Sequence, residues 1–351
     1  MTSFLRMLLL ALTLFSVSSF AGQIPDLYKA DVSASAKTEQ WQQDALSQVL
    51  QRVSGLADIA NQAALSEELR RASTYIKQFE AVRTDEGNRM QVLLDANKVN
   101  QLLQQNNIAV WGALRPDILV WLVEQKGSER QFIRRQEQTL RKALRQAFKQ
   151  SALPLLSPLY DMDDLLSLTE TDVWAGFWQP INQASSRYNA EVVVAATVEQ
   201  LTTENGNEFR ISWQYVQDGR VIRDEAAGTS EALMMQQFAS RLASQLAQQY
   251  ATTLSVDAAQ HFILTVKGVS QLPAIVRVQK LLQQVVGVSE VTIGSFDNGS
   301  VQYRVKAAIK AEGLLNALRF NPSLQLDTSA QMIQLDANQT PVLATLIYTG
   351  T

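Results

Sequence analysis

Six consecutive apolar residues, Ile118 to Val123 in "WGALRPDILVWLVEQ", constrain the fold more than any other stretch. So short a run, with turn-forming residues on both sides, predicts a strand buried on both faces. A helical period follows it, then the Pro-punctuated "LPLLSPLY", then a helix from Asp163 or Asp164 running with breaks to about Arg187. Three strand patterns come next, "EVVVAATVEQL", "EFRISWQYVQ" and "RVIRDEAAGTS", joined by turn pairs at Asn205-Gly206 and Asp218-Gly219, and Glu231 to Tyr250 reads as a closing helix. The order β, α, β, α, β, β, β, α predicts a two-layer or three-layer α/β domain.

The flanking regions read differently. Near the start, "LYKADVSA" alternates as a strand does, and Lys37 to Val53 carries an apolar helical face of Trp41, Ala45, Leu46, Val49, Leu50 and Val53 that Gly55 ends. Ser66, ahead of Glu67 and Glu68, suits a helix N-cap, with that helix running to about Ile76. "FEAVRTDEGNRMQVLLD" predicts a hairpin turned at Asp85 to Asn88, and Ala96 to Gln105 a closing helix. At the other end, "HFILTVKGV", "LPAIVRVQKLLQQVVG", "VSEVTIGSF", "SVQYRVKAAI", "AEGLLNALRFN" and "LQLDTSAQMIQLD" give the β-α-β-β-α-β order of ferredoxin-like domains.

A chain of 351 residues exceeds the ~250–300 at which single cores divide. The predicted class is therefore multidomain α+β and α/β. Residues 1–21 are a leader, 22–110 a small N-terminal α+β domain, 111–254 a central mixed-sheet α/β domain, and 255–351 a ferredoxin-like domain with a terminal tail.

The leader is the reading of "MTSFLRMLLLALTLFSVSSFA": a single positive charge at Arg6, an apolar run from Met7 to Phe15, then small residues up to an expected cleavage after Ala21. That order predicts export to the periplasm. The apolar run is too short to span a bilayer, which takes ~20 residues. Cysteine is absent, which excludes disulfides and a lipidated N-terminal Cys. With 31 Lys and Arg against 34 Asp and Glu, the formal charge of −3 becomes one unit more negative once Arg6 is removed, which argues against bulk attraction to nucleic acid or anionic lipid.

The chemistry of sites is sparse. With no Cys and only His261, thiol catalysis and a conventional zinc site are excluded, and His261 reads as an ordinary residue at a strand start. The Gly-x-Ser starts at Gly228, Gly268 and Gly287 lack the closing Gly of a nucleophile elbow, and no Gly-rich phosphate cradle occurs. Asp161, Asp163 and Asp164 form the best acidic cluster, yet Leu166 and Asp172 stand where a calcium loop needs Gly and Glu, so capping of a helix explains them more simply. Neither a cofactor nor a metal is predicted, and a non-enzyme is expected.

Two features stand out as partner-binding candidates. "ERQFIRRQEQTLRKALRQAFKQ" (129–150) holds seven Lys or Arg. On a helical wheel Ile133, Leu140, Leu144 and Ala147 gather on one side, while Arg130, Arg134, Arg135, Arg141, Lys142, Arg145 and Lys149 point away. Arg134, Arg141 and Arg145 are its candidate contacts, although a solvated face explains the charges as well. Trp174, Phe177 and Trp178 have i, i+3, i+4 spacing, so Trp174 and Trp178 are either a stacking platform or sheet-facing core.

"ALSQVLQRVSG" (Ala45 to Gly55) and "WGALRPDILVWL" (Trp111 to Leu122) resemble an uncharacterised Gram-negative family, domain of unknown function 2066. That resemblance implies an exported envelope protein without assigned catalytic residues. The middle region is also similar, in element order alone, to the periplasmic domain preceding the propeller of TolB and to curli-export relatives, which implies protein binding. The expected function is a non-enzymatic, protein-binding or scaffold module of the envelope. The alternative is a carboxylate-dependent cell-wall enzyme or a glycan-binding protein. An envelope protein is the expected partner, with peripheral membrane contact through the basic stretch a weaker possibility.

Overall fold

A computed structural model describes residues 24, 26–34, 37–84, 87–203, 206–255, 259–327 and 342–350. The expected leader, the tip of the first hairpin at 85 and 86, and residues 328–336 of the expected last strand lie outside the described residues. The structure is a mixed α+β fold built on three sheets.

The N-terminal part contains β1 (Lys29–Ser33), α1 (Thr38–Ser54), α2 (Ser66–Arg70), β2 (Ile76–Thr84), β3 (Gly87–Leu94) and α3 (Ala96–Gln105). Its antiparallel sheet has the order β1-β3-β2. The six apolar residues of α1 are all buried, in one cluster with Ala30, Val32, Met90, Val92 and Leu94 of the sheet. Gly55 stops α1 for two reasons: its φ is +73°, and a Cβ there would lie 2.3 Å from Ala247 Cβ. The second helix is shorter than expected. It ends at Arg70, a 3-10 turn over Ala72–Tyr75 follows, and the Ser66 hydroxyl bonds back to the Ala63 carbonyl rather than capping.

The central part comprises β4 (Ile118–Lys126), β5 (Glu129–Phe132), α4 (Thr139–Gln150), β6 (Leu155–Leu156), α5 (Met162–Ser167), α6 (Glu170–Ala175), α7 (Trp178–Ser185), β7 (Val192–Thr203), β8 (Gly206–Gln217), β9 (Arg220–Gly228) and α8 (Glu231–Tyr250). The sheet runs β5-β4-β7-β8-β9, with β6 also pairing β4. β7 and β6 lie parallel to β4, and the other pairings are antiparallel.

β4 is buried on both faces, as its run of apolar residues requires. Ile118, Val120 and Leu122 join the cluster under α4 and α8, while Leu119, Trp121 and Val123 join the one under α5, α6 and α7. The second layer covers only part of the sheet, leaving Ser212 and Val216 of β8 and Arg223 and Glu225 of β9 exposed.

The basic stretch departs from its expected single helix. Gly127 takes φ +61° and turns the chain back, so Glu129–Phe132 pair with β4 as a strand, and the helix starts only at Thr139. The aromatic spacing fails likewise: Gly176, at φ +71°, ends α6, Phe177 is extended at the N-cap of α7, and that helix begins at Trp178.

The C-terminal part holds β10 (Gln260–Lys267), α9 (Leu272–Gln283), β11 (Val288–Asp297), β12 (Ser300–Ala307), α10 (Ala311–Arg319), β13 (Leu324–Leu326) and β14 (Val342–Tyr348). The β-α-β-β-α-β order is present with an addition. The sheet order β11-β12-β10-β14-β13 places the unforeseen β14 between the first and the closing strands, parallel to β10 and antiparallel to β13. On β12, Val301, Tyr303, Val305 and Ala307 alternate with exposed residues, the pattern of a sheet covered on one face.

The three parts meet around the segment ahead of β4. Val110 and Thr252 exchange backbone hydrogen bonds of 2.8 and 3.0 Å. Trp111 lies 6.4 Å from Tyr250, which meets Phe320 edge-on at 4.9 Å. α1 is tied to α8 by Gln51 Nε2 donating to Ser240 Oγ at 2.8 Å and Ser244 Oγ donating to the Gly55 carbonyl at 2.7 Å.

Candidate functional site

Two arginines anchor this junction, and neither lies in the basic stretch. Arg115 is fully buried, with its guanidinium 4.1 Å from the centre of the Trp111 ring. Its N–H groups donate to the carbonyls of Gly112, Ser151, Ala152, Arg52 and Trp111 at 2.5 to 3.3 Å. Burial lowers its pKa to about 9, and the nearby Arg52 charge adds to the shift. Arg52 is buried too and donates to the carbonyls of Gln150, Lys29 and Lys149. Burial lowers its pKa, opposed by Asp31 and Asp26. The carbonyls of Gln150, Ser151 and Ala152, at and just past the end of α4, take their donors from the two guanidinium forks, and that of Lys149 accepts from Arg52 besides the Ala152 N–H.

Beside this joint, a cleft of about 420 Å³ opens between β1 and the C-terminal half of α4. Ile24, Ala30, Phe148, Ala152, Leu153 and Leu155 form its apolar wall. Lys29, Arg145 and Lys149 stand around it with Asp26, and Asp31 is held by Arg89 at 2.6 Å. A second opening, about 340 Å³, lies on the uncovered face of the central sheet, where Trp174 meets Thr197, Ser212, Gln214, Arg223 and Glu225.

The five sequence candidates scatter. Arg134 is exposed and pairs with Glu170 at 3.1 Å. Arg145 is exposed, bonded to the Gln136 side chain and to its carbonyl at 3.2 Å, and lines the cleft. Arg141 does not point outward: it is only 6% exposed, donates to the Arg134 carbonyl and lies 5.9 Å from the Tyr160 ring. The reason is the late helix start, which puts Arg141 in the first turn of α4, under the loop that precedes it. Trp174 is half-buried, and the Arg130 guanidinium covers its ring at 4.3 Å. Trp178 is half-buried against the clusters on both faces of the sheet, and its Nε1 has no hydrogen-bond partner among the described residues.

The acidic cluster is a cap and a brace. Asp161 accepts from the Asp164 backbone N–H at 3.1 Å, and Arg187 reaches Asp161 at 2.8 Å and Asp164 at 3.4 Å. Arg187 holds the Asp161 carboxyl below its usual pKa. Buried Asp164 also accepts from Tyr160 N–H at 2.7 Å and from the Tyr188 hydroxyl at 2.6 Å, and burial with this bond pushes Tyr188 up to about 12. Among the described residues no group of three or more His, Cys, Asp or Glu is placed to hold a metal.

Sequence reasoning missed a group of exposed apolar residues. Leu159, Met162 and Leu166 are 67, 70 and 78% exposed, and Phe177 is 55% exposed. Met162 and Leu166 had a signal, a spacing of four residues on one side of α5, obscured by the acids between them; Leu159 had none, because it precedes the helix across Tyr160 at φ +53°.

Residues 21–112 match the model of a domain of unknown function (DUF8605). This corrects the resemblance stated above: the matching model is that of a different domain of unknown function, and nothing relates the central region to the TolB type. The match stops before β4 begins. No curated protein matches the chain. Among the described residues, no helix is long and apolar enough to cross a membrane.

Proposed function

We propose that the protein is exported to the periplasm and serves there as a non-enzymatic module that docks on an envelope protein. The observation that carries this reading is the exposure of Leu159, Met162 and Leu166 within one short stretch of chain, because large apolar side chains left exposed close together mark interaction sites. Burying each of these side chains on a partner contributes about 1.5–3 kcal/mol before association costs. Asp161, Asp163 and Asp164 share the single charge of Arg187, and the negative charge left over at this helix disfavours an anionic bilayer and favours a partner with basic residues. The leader-like order of residues 1–21 supports the compartment.

A photo-crosslinking side chain at Leu159 in intact cells should give one discrete adduct, and Met162→Lys with Leu166→Lys should abolish it. No adduct, or one that survives both changes, overturns the reading. Fractionation with N-terminal sequencing should find a periplasmic chain starting at Gly22.

A second reading, glycan binding, is favoured by the Trp174 opening, where an aromatic ring adjoins polar side chains. Binding fits this opening better than hydrolysis. Among the described residues of the lining the carboxylate besides Glu225 is Asp224, which is taken up by Arg241 at 3.2 Å and Gln245 at 2.9 Å, whereas glycosidases use a pair. Peptidoglycan fragments should then raise the melting temperature without being cleaved. An unchanged melting temperature removes this reading.

A further inference from the structure

We infer that the cleft between β1 and α4 binds an anionic amphiphile, with its headgroup among Lys29, Arg145 and Lys149 and its chain along Ile24 and Leu155, the apolar lining residues that keep accessible surface. Its volume of about 420 Å³ falls among small-molecule pockets, which span about 300–1,000 Å³ and favour junctions between structural units. Lys29, Arg145 and Lys149 form no ion pair among the described residues, whereas Asp31 is already neutralised by Arg89. Asp26 is the one remaining acid in the lining, so the field inside is positive.

The cationic rim is also a built one. Arg52 donates both to the Lys29 carbonyl and to the Lys149 carbonyl, so one buried side chain fixes the backbone beneath the two ammonium groups. Rigid positioning of this kind lowers the ordering cost of binding. A free inorganic anion leaves the apolar wall wet, and an uncharged chain leaves the cations without a partner. An amphiphile with a single carboxylate or phosphate satisfies both.

The test is calorimetric titration of the purified chain with decanoate, decanol and inorganic phosphate, below the micellar concentration of each lipid. Decanoate should saturate a single site, with decanol at least about tenfold weaker, the loss that charge-assisted bonds imply, and phosphate weaker still. Arg145→Glu with Lys149→Glu should weaken decanoate by about tenfold or more while leaving the ligand-free melting temperature unchanged. Absence of saturation, equal affinity in the double variant, or phosphate binding as tightly as decanoate overturns the inference. Crosslinking from Leu159 addresses the docking proposal independently.

Discussion

Arg52 and Arg115 sit in the junction while Arg134 and Arg145 lie along the basic stretch, and the same side chain does opposite work in the two places. In the junction every guanidinium N–H contact goes to a backbone carbonyl inside the protein. On the stretch the partners are a half-buried glutamate and, at the surface, the side chain and carbonyl of a glutamine. The density of positive charge along a sequence therefore marks the arginines that matter least to the fold. What decides is the proximity of a helix end whose carbonyls lack donors, and only the fold supplies that. Arg141 shows the boundary between the regions, since it belongs to the stretch by sequence and to the interior by burial.

The sharpest way to break this contrast is Arg115→Met. The change leaves five carbonyls with one donor fewer and should cost about 3–5 kcal/mol, read as a lower midpoint in urea with an unchanged slope. Arg115→Lys should recover little, because an ammonium lacks the planar fork that spans carbonyls on two sides. A loss below about 1 kcal/mol would mean that water replaces the guanidinium and the junction does not depend on it.

Arg141→Glu comes next at about 2–3 kcal/mol, since it puts an acid in a buried position where the Arg134 carbonyl offers no donor. Arg141→Met, which removes the charge without reversing it, should cost less. Equal losses in the two variants would show that packing, not charge, holds the residue.

Burial also acts on the tyrosines, with opposite sign. Tyr188, Tyr215 and Tyr303 are pushed up to about 12 from 10.0, chiefly by desolvation. Their folded forms keep the proton longer than the unfolded chain does, so the stability they contribute is intact below pH 10 and is lost as pH rises toward 12. Arg115 opposes this trend: with its folded value lowered from 12.5 to about 9, the unfolded chain holds more protons above that pH and stability gains. Burial raises Tyr28, Tyr75, Tyr160 and Tyr250 as well and lowers Arg52 beside Arg115, so the tyrosines outweigh the two arginines and the urea midpoint should fall between pH 10 and 12. In Arg115→Met it should fall more steeply, and an identical slope would refute the opposing contribution.

Much of the fold was legible because its determinants are local. The apolar face of α1 with Gly55 behind it, the run at Ile118 to Val123 and the turn pair Asp218-Gly219, at φ +48° and +75°, each act within a few residues. Local patterns misled where a single backbone position overrode them, as Gly127 did for the basic stretch and Gly176 for the aromatic trio. The strand β14 escaped notice because its place, between β10 and β13, is set by pairing partners distant in the chain. The cleft was legible only through Arg145. Arg52 and the Gln150 carbonyl it meets are 98 positions apart, and no periodicity records such a contact.

The smallest predicted change is Arg145→Glu, and it bears most directly on what the basic stretch is for. Arg145 is exposed and, among the described residues, bonded only to Gln136, so reversal should move stability by no more than about 0.5 kcal/mol, as at surface sites generally. A residue that costs nothing to reverse and yet faces a cleft beside Lys29 and Lys149 is free to serve a ligand. A loss above about 1 kcal/mol would instead make Arg145 a brace for the loop ahead of α4, and the rim of the cleft would then be structural like the junction beneath it.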